Sequence, residues 1–290
     1  MLNHTIRIPS SVDSDARPRL AGALGMACAA GRLLVEHLER RGDTESTVEF
    51  KGRRELVTAA DKASERLLVA AVRAGFAGDA VLAEEGVSSP KGVADREAEY
   101  CWVIDPLDGT TNFVHGHPAF SVSIGILRGG EPWIGVVHAP WLGPHGHGET
   151  YFGVVGVGAW CNDRSLHVSS TEALRDAVVA TGFSYRRNEP GVNTNLANFG
   201  RVLMEVRGIR RCGSAALDLA HVAAGVYDGF WEVYLEPYDV AAGMALVRAA
   251  GGEVRGLGSG KNPLRGSEIL ATNTRITAQL MDLLTGVDSP

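Results

Sequence analysis

The sequence predicts a mixed fold, in which an α+β half is followed by an α/β half and the two share a cleft. Two amphipathic helices and a run of strands at hairpin-like spacing make up the first part of the chain. After about residue 160, strand and helix segments alternate, which is typical of an α/β layer. The 290 residues suffice for one large domain or two modest ones, each with its own core.

The first half is predicted to contain two helices and five strands. The second helix is predicted to begin near Thr58 and Asp61, which are typical of a helix start. Short apolar runs that end in acidic residues indicate buried strands, and the later alternating runs favour an antiparallel sheet. The predicted helices span 20–39 and 61–76, and the predicted strands span 80–86, 100–106, 120–127, 132–139 and 149–156.

The second half is predicted to alternate four strands with four helices. We therefore expect a flexible tail over 1–18, an α+β half over 19–160 with most of the site, and an α/β half over 161–290. The predicted strands span 176–183, 208–213, 229–235 and 267–273, and the predicted helices span 194–206, 214–225, 238–252 and a last segment to about 284.

Composition narrows the class of protein. The formal net charge is −6, from 34 acidic and 28 basic residues, so no basic excess points to a nucleic-acid partner. The four cysteines are widely spaced and form no metal-finger pattern, as expected of reduced thiols. No apolar stretch is long enough for a membrane span, and the N-terminus lacks a signal-peptide core. We expect a cytoplasmic protein without membrane attachment.

The segment "WVIDPLDGTTNFVHG" places Asp105 and Asp108 at the end of an apolar run. If a helix starts at Thr110, the amides of Gly109 and Thr110 favour an anion, whereas the two carboxylates repel one. A divalent cation reconciles these tendencies, and hard oxygen ligands select Mg²⁺ or Mn²⁺. The alternative is a plain strand-to-helix turn, in which Asp and Gly serve the backbone alone.

Other acidic residues also stand at the ends of apolar elements. Glu84 and Glu85 follow a short strand, Asp61 fits the first turn of a helix, and Asp239 fits an N-cap. Each has an ordinary structural explanation when taken alone. Because such ends can converge at one edge of a fold, together they favour a shared acidic site.

Four motifs in order resemble the inositol monophosphatase family. They are "ELVTAAD", "AEEG", "VIDPLDGTTNFVHGHPAFSVSIG" and "EPYDVAAG", and the resemblance covers about 20–285. It implies the layered αβαβα sandwich of the inositol monophosphatase and fructose-1,6-bisphosphatase type. It also implies a lithium-sensitive, Mg²⁺-dependent phosphomonoesterase that is often a homodimer.

The resemblance implies a metal-ligand set, residue by residue. Glu84, Asp105 and the carbonyl of Leu107 are expected to hold one ion. Asp105, Asp108 and Asp239 are expected to hold a second, with Asp105 bridging the two. Glu84 is also expected to touch a weaker third ion, so two or three Mg²⁺ ions are implied, with Mn²⁺ as a substitute.

The resemblance assigns catalysis to Glu84, Thr110 and Asp61. A water activated by the cation is the expected nucleophile, oriented by Thr110, whose hydroxyl donates to Asp61. The Gly109 and Thr110 amides are expected to bind phosphate oxygens, beside Asp108. No covalent phosphoenzyme is needed.

The resemblance also places substrate-binding residues in the second half. Gly213, Ser214 and Ala215 are expected to line the polyol site, and Glu232 is expected to accept hydrogen bonds from its hydroxyl groups. The alternative for Glu232 is an exposed position on a strand. Lys51 resembles a mobile-loop lysine, but the loop is one residue short.

The segment "HAPWLGPHGHGETYF" contains three histidines, a residue type that binds metals, but its Gly and Pro content favours a surface hairpin. We therefore predict that His138, His145 and His147 are solvated and have no role in the site.

The function implied is hydrolysis of inositol 1-phosphate, or of a similar polyol or sugar phosphate, to the alcohol and phosphate. The expected partner is a small phosphorylated metabolite. Histidinol phosphate and fructose 1,6-bisphosphate are alternative substrates. A regulatory binding protein of the same fold, acting on the transcription machinery, is the alternative from another class.

Overall fold

The computed structural model describes residues 6–40, 48–50, 56–86, 98–143, 148–257, 262–266 and 268–286. Most of its strands belong to two sheets. The larger sheet has seven strands in chain order, and only its first pair is parallel. These strands are β3 (Ala80–Ala83), β4 (Tyr100–Asp108), β5 (Ser121–Arg128), β6 (Glu131–Ala139), β7 (Glu149–Val154), β8 (Gly158–Cys161) and β9 (Arg164–Leu166).

The smaller sheet has five strands in the order β11-β10-β12-β14-β13. The strand β10 is parallel to both its neighbours, whereas β14 is antiparallel to both of its own. These strands are β10 (Val178–Thr181), β11 (Gly208–Arg210), β12 (Gly229–Val233), β13 (Glu253–Arg255) and β14 (Glu268–Thr272). A separate two-stranded ribbon pairs β1 (Val48–Phe50) with β2 (Leu56–Thr58).

Helices cover both sheets and also lie between them. Three hydrophobic cores follow: α1 and α2 pack on the outer face of the larger sheet, α5 and α6 lie between the sheets, and α4 and α8 pack outside the smaller one. This confirms the αβαβα layering. The helices are α1 (Ala16–Glu39), α2 (Ala59–Gly75), α3 (Thr110–His115), α4 (Leu196–Leu203), α5 (Ala215–Ala223), α6 (Pro237–Ala249), α7 (Pro263–Gly266) and α8 (Thr277–Thr285).

A glycine pair sets how closely α6 approaches the larger sheet. Gly125 on β5 and Gly135 on β6 are opposite each other in the strand register. A Cβ at Gly135 would lie 2.2 Å from the Ala242 carbonyl oxygen, and one at Gly125 would lie 2.7 Å from the Ala241 Cβ. The backbone of α6 therefore packs directly on the sheet, which fixes the start of this helix beside the end of β4.

The N-terminal segment is more ordered than predicted. The helix α1 begins at Ala16 instead of residue 20, and Val12 is buried. The Asp13 carboxylate accepts from the Ala16 amide at 2.8 Å, and Arg17 donates to the carbonyl oxygens of Pro9 and Val12. These contacts tie residues 9–18 to the helix, so the predicted 18-residue tail does not describe them.

The boundary between the sheets also lies later than predicted. The larger sheet continues to Leu166, because the hairpin β8–β9 adds to the edge of β7. Strand and helix alternation after residue 160 correctly indicated the second layer. It did not indicate that β13 and β14 would run antiparallel to their neighbours.

The prediction of a solvated His138 was wrong, whereas His145 and His147 lie outside the described residues. His138 is on β6, and its Nδ1 is 2.8 Å from the Thr150 Oγ1. A Cβ at Gly31 of α1 would lie 2.4 Å from its ring, so helix and ring are in close contact. Burial, and then the charge of Arg32, lowers the pKa of His138 to about 4.

This histidine should make the folded state sensitive to acid. Its pKa is about 6.5 in an unfolded chain and about 4 in the fold, so the unfolded state binds a proton first. The contribution of His138 to the free energy of unfolding is therefore complete above pH 6.5 and is lost as the pH falls towards 4. By pH 5, about 2 kcal/mol is lost. Other groups titrate in the same range, so the test compares the free energy of unfolding in urea of the wild type and of His138→Asn at pH 7.5 and 5.0. On going to pH 5.0, the wild type should lose about 2 kcal/mol relative to the variant. An equal change in both proteins would contradict the assignment.

Within the described ranges, none of the helices combines the length and the apolar content that crossing a bilayer requires.

Candidate active site

A pocket of about 510 Å³ opens where β4 ends and α3, α5 and α6 begin. This volume is within the range of small-molecule sites. Every predicted site residue lines it except Asp61, which lies behind Thr110. The predicted residues that line the pocket are Glu84, Asp105, Leu107, Asp108, Gly109, Thr110, Gly213, Ser214, Ala215, Glu232 and Asp239.

The strand β4 carries the first carboxylates into the pocket. It continues to Asp108, and an irregularity in its pairing with β5 falls between Asp105 and Asp108. The Asp105 Oδ1 accepts from the Leu107 amide at 2.9 Å, and the Pro106 carbonyl accepts from the Ser64 hydroxyl of α2. A bulge of this kind re-aims side chains near sites, and here it turns both aspartates into one pocket.

Two capping boxes hold two more aspartates. Asp61 is the third residue of α2, and its carboxylate accepts from the amide of the N-cap residue Thr58 at 2.9 Å. Asp239 is the third residue of α6, and its carboxylate accepts from the Glu236 amide at 2.7 Å. Asp239 is therefore not the N-cap that the sequence predicted. Each box fixes one carboxylate oxygen and leaves the other oxygen to face its surroundings.

The Thr110 hydroxyl lies between two acceptors. Its Oγ1 is 3.1 Å from the Asp61 Oδ1 and 3.2 Å from the Leu107 carbonyl oxygen. Since a hydroxyl has a single proton, either contact leaves its lone pairs available towards the pocket. Burial raises the pKa of Asp61, while its hydrogen bonds from Thr58 and Thr110 oppose that shift.

The carboxylates of the pocket influence one another strongly. Burial raises the pKa of Asp105 well above its usual range, and the charges of Glu84, Asp108 and Asp239 add to this. Burial and then Glu84 likewise raise the pKa of Asp239 well above its usual range. As placed, no three acidic, histidine or cysteine side chains of the described residues come close enough together to share one ion.

Asp108 also links β4 to the start of α5. Its Oδ2 accepts from the Ser214 hydroxyl at 2.5 Å and from the Ala216 amide at 2.8 Å. Burial raises the pKa of Asp108 to about 6, against these two hydrogen bonds. The Ser214 hydroxyl, predicted to contact substrate, donates to this carboxylate instead. Its substrate role remains a prediction.

The turn at Gly109 needs a residue without a side chain. Its φ is +88°, and a Cβ would lie 3.0 Å from the Ala119 carbonyl oxygen and 3.3 Å from that of Gly213. Nearby, the Asn112 amide donates to the carbonyl oxygens of Ala119 and Cys212. The start of α3 is thereby held against the segment that precedes α5.

Glu232 faces the pocket instead of lying on the surface. A Cβ at Gly182 would lie 2.1 Å from its carboxylate, so the two are in contact. Burial raises the pKa of Glu232 to about 8, while the charge of Arg211 opposes the shift and that of Asp108 adds to it. The alternative of an exposed strand glutamate is wrong for Glu232.

Sequence reasoning missed three polar residues near the site. Ser64 and Glu65 share the buried face of α2 with Asp61, and Glu65 accepts from the Glu85 amide at 2.6 Å. Their helical spacing after Asp61 was a signal that could have found them. Asp218 of α5 lines the pocket, and its buried Oδ1 has no hydrogen-bond partner within the described residues. Lys51 lies outside those residues.

Comparison with known proteins relates residues 15–286 to a single family, described as the inositol monophosphatase family. Phosphatase IMPL1 of Arabidopsis thaliana chloroplasts is 39% identical over 236 residues, which are 81% of this chain and 62% of that protein. The Nus factor SuhB of Pseudomonas aeruginosa is 41% identical over 266 residues, which are 91% of this chain and 95% of that protein.

A solved structure of an inositol monophosphatase has the same fold as this chain. The inositol monophosphatase from Anabaena (Nostoc) superposes with a TM-score of 0.82 at 40% identity, covering 94% of this chain and 98% of that one.

Proposed function

Because the chain belongs to the inositol monophosphatase family and is a phosphoric monoester hydrolase, we propose that it hydrolyses inositol 1-phosphate or a similar polyol phosphate with Mg²⁺. The observation that carries the proposal is the meeting of two kinds of group in one pocket. Four carboxylates lie at the end of β4, and Glu232, Arg211 and Asp218 line the same pocket. The four carboxylates suit cations that bind a phosphoryl group. Glu232, Arg211 and Asp218 suit the hydroxyl groups of the alcohol.

The donor set fits hard divalent cations. The Glu84, Asp105, Asp108 and Asp239 carboxylates and the Leu107 carbonyl would hold Mg²⁺, and all are oxygen ligands. Such ions, when bound, polarise the phosphoryl oxygens, lower the pKa of water and stabilise the leaving oxygen.

The other residues bind and orient. The Thr110 hydroxyl, directed by Asp61, positions the attacking water in line with the phosphorus. The Gly109 and Thr110 amides bind phosphate oxygens at the start of α3. Glu232 accepts from a hydroxyl group of the leaving alcohol, which orients it for displacement.

A panel of phosphate esters tests the proposal directly. We expect turnover of inositol 1-phosphate that requires Mg²⁺, is lost with EDTA and returns with Mg²⁺ or Mn²⁺. Faster turnover of histidinol phosphate or fructose 1,6-bisphosphate would replace the substrate but retain the reaction class. Absence of Mg²⁺-dependent turnover across the panel would refute the proposal.

Glu232→Gln should separate recognition from chemistry. Above pH 8, where Glu232 is ionised, the change keeps the shape and removes one charged acceptor, and a hydrogen bond to a charged group is worth roughly 1.5–3 kcal/mol. The kcat/KM for inositol 1-phosphate should therefore fall about ten- to a hundredfold, while that for p-nitrophenyl phosphate falls much less. Equal losses on both substrates would assign Glu232 to the metal site or the fold.

A regulatory role is the second candidate, since the Pseudomonas relative is a Nus factor. The exposed apolar residues Leu196, Leu203 and Met204 on and beside α4 favour it, because such surfaces commonly bind proteins. Binding of purified RNA polymerase by a catalytically inactive variant would support this role, and its loss in Met204→Ser would locate the surface.

Inhibition by lithium and a homodimer remain predictions from the family resemblance. Inhibition assays with LiCl and light scattering after size exclusion would test them.

A further inference from the structure

Tyr234 adopts a backbone conformation that bulky residues rarely adopt. It directly follows β12, which carries Glu232, and its φ is +63°, in the left-handed region. That conformation is strained for an aromatic side chain and persists where the surroundings impose it. Strain of this kind clusters at ligand sites, so its location is informative.

The strain at Tyr234 is not explained by burial of its ring. The side chain is 39% exposed, and its hydroxyl accepts from the Asn193 amide at 2.9 Å. The residue lines the same pocket as Glu232. A ring held at its tip but left exposed beside a pocket presents apolar surface to whatever enters.

A second exposed tyrosine lines this pocket. Tyr185 is 43% exposed, and its hydroxyl is 3.4 Å from the Thr111 Oγ1, one residue beyond Thr110. Its hydroxyl therefore also has a polar neighbour while its ring remains accessible. Tyr185 and Tyr234 are two of the few large hydrophobic side chains that are exposed among the described residues, and both belong to the pocket.

We propose that Tyr234 and Tyr185 form an aromatic wall that binds the ring of a cyclic polyol or sugar phosphate, with Tyr234 as a specificity-determining residue. The carbon face of such a ring is apolar, while its edge carries hydroxyl groups. Aromatic surface suits the face, and the neighbouring Glu232 carboxylate suits the edge. An acyclic phosphate such as glycerol 2-phosphate offers no face to this wall. The inference rests on the proposed phosphomonoesterase function.

The test compares inositol 1-phosphate with glycerol 2-phosphate by steady-state kinetics. The wild type should prefer the cyclic ester. Tyr234→Gly removes the ring and suits the left-handed backbone, so the ratio of kcat/KM values should fall about tenfold, mainly through KM for the cyclic ester. The melting temperature should stay level or rise. Tyr234→Phe keeps the ring and should keep most of the preference.

Two further variants serve as a control for backbone strain and as a test of the second tyrosine. Thr274→Gly relieves another positive φ, of 74°, at a residue that does not line this pocket, and it should leave the ratio unchanged. Tyr185→Ala should lower the ratio like Tyr234→Gly, which covers the case in which the latter melts early. Equal losses on both esters, or an unchanged ratio in both tyrosine variants, would overturn the proposal.

The same measurements distinguish a failure of the aromatic wall from a failure of the proposed phosphomonoesterase function. A wild type that hydrolyses both esters equally well would retain the phosphomonoesterase and reject the aromatic wall. A wild type that hydrolyses neither with Mg²⁺ would reject the proposed function and the wall with it.

Discussion

Asp105→Asn should abolish nearly all turnover, with a loss of about 10³-fold or more in kcat, because cation-assisted charge stabilisation is worth several kcal/mol. The charges of Glu84, Asp108 and Asp239 all raise the pKa of Asp105, so it belongs to the acidic group of the pocket. An asparagine keeps an oxygen for the Leu107 amide but removes the charge. The measurement is initial rate at saturating Mg²⁺.

The same variant should fold as well as the wild type, or better without metal. Removing one of several buried, mutually repelling carboxylates relieves repulsion, so its melting temperature in EDTA should equal or exceed that of the wild type. Added Mg²⁺ should raise the melting temperature of the wild type more than that of the variant. Asp163→Asn, at an exposed position, is the control and should behave like the wild type. Turnover within tenfold of the wild type would exclude the bridging role.

Thr110→Ala should lower kcat by about 10²-fold or more and leave the Mg²⁺ dependence nearly unchanged. The reason is that its hydroxyl contacts Asp61 and the Leu107 carbonyl and supplies orientation instead of charge. Thr110→Ser keeps the hydroxyl and should recover most of the rate.

The comparison of these two variants decides the role of Thr110. Normal turnover by Thr110→Ala would make its contact with Asp61 a structural one. A parallel loss in alanine and serine variants would point to the methyl group and the packing of α3.

The local sequence predicted the helices and strands that carry the site better than the contacts between them. The pattern "DPLDGT" indicated a strand end and a helix start, and Thr58 with Asp61 indicated the start of α2, because turns and caps depend on neighbouring residues. The sequence predicted Asp239 as the N-cap of α6, but Glu236 is the N-cap. Asp239 is the third residue of the helix, and its carboxylate completes the capping box.

Long-range contacts could not be predicted in this way. Asp108 accepts from Ser214 and Ala216, which follow it by about a third of the chain, and no periodicity connects such positions. His138 was misassigned because its contact with Gly31 brings together a strand and a distant helix. The positive φ of Tyr234 likewise depends on tertiary surroundings and not on residue type.

The position of α6 between the two sheets has a consequence for how the protein folds. The helix contributes to a core shared by both sheets, and it carries Asp239 to the end of β4. Closing such distant segments is entropically slow, so contacts of this kind form late. During refolding, helical and strand signals can recover in each layer before α6 is seated. Enzymatic activity should then return only with the slowest phase, and would serve as a kinetic probe of the final assembly of the sheets.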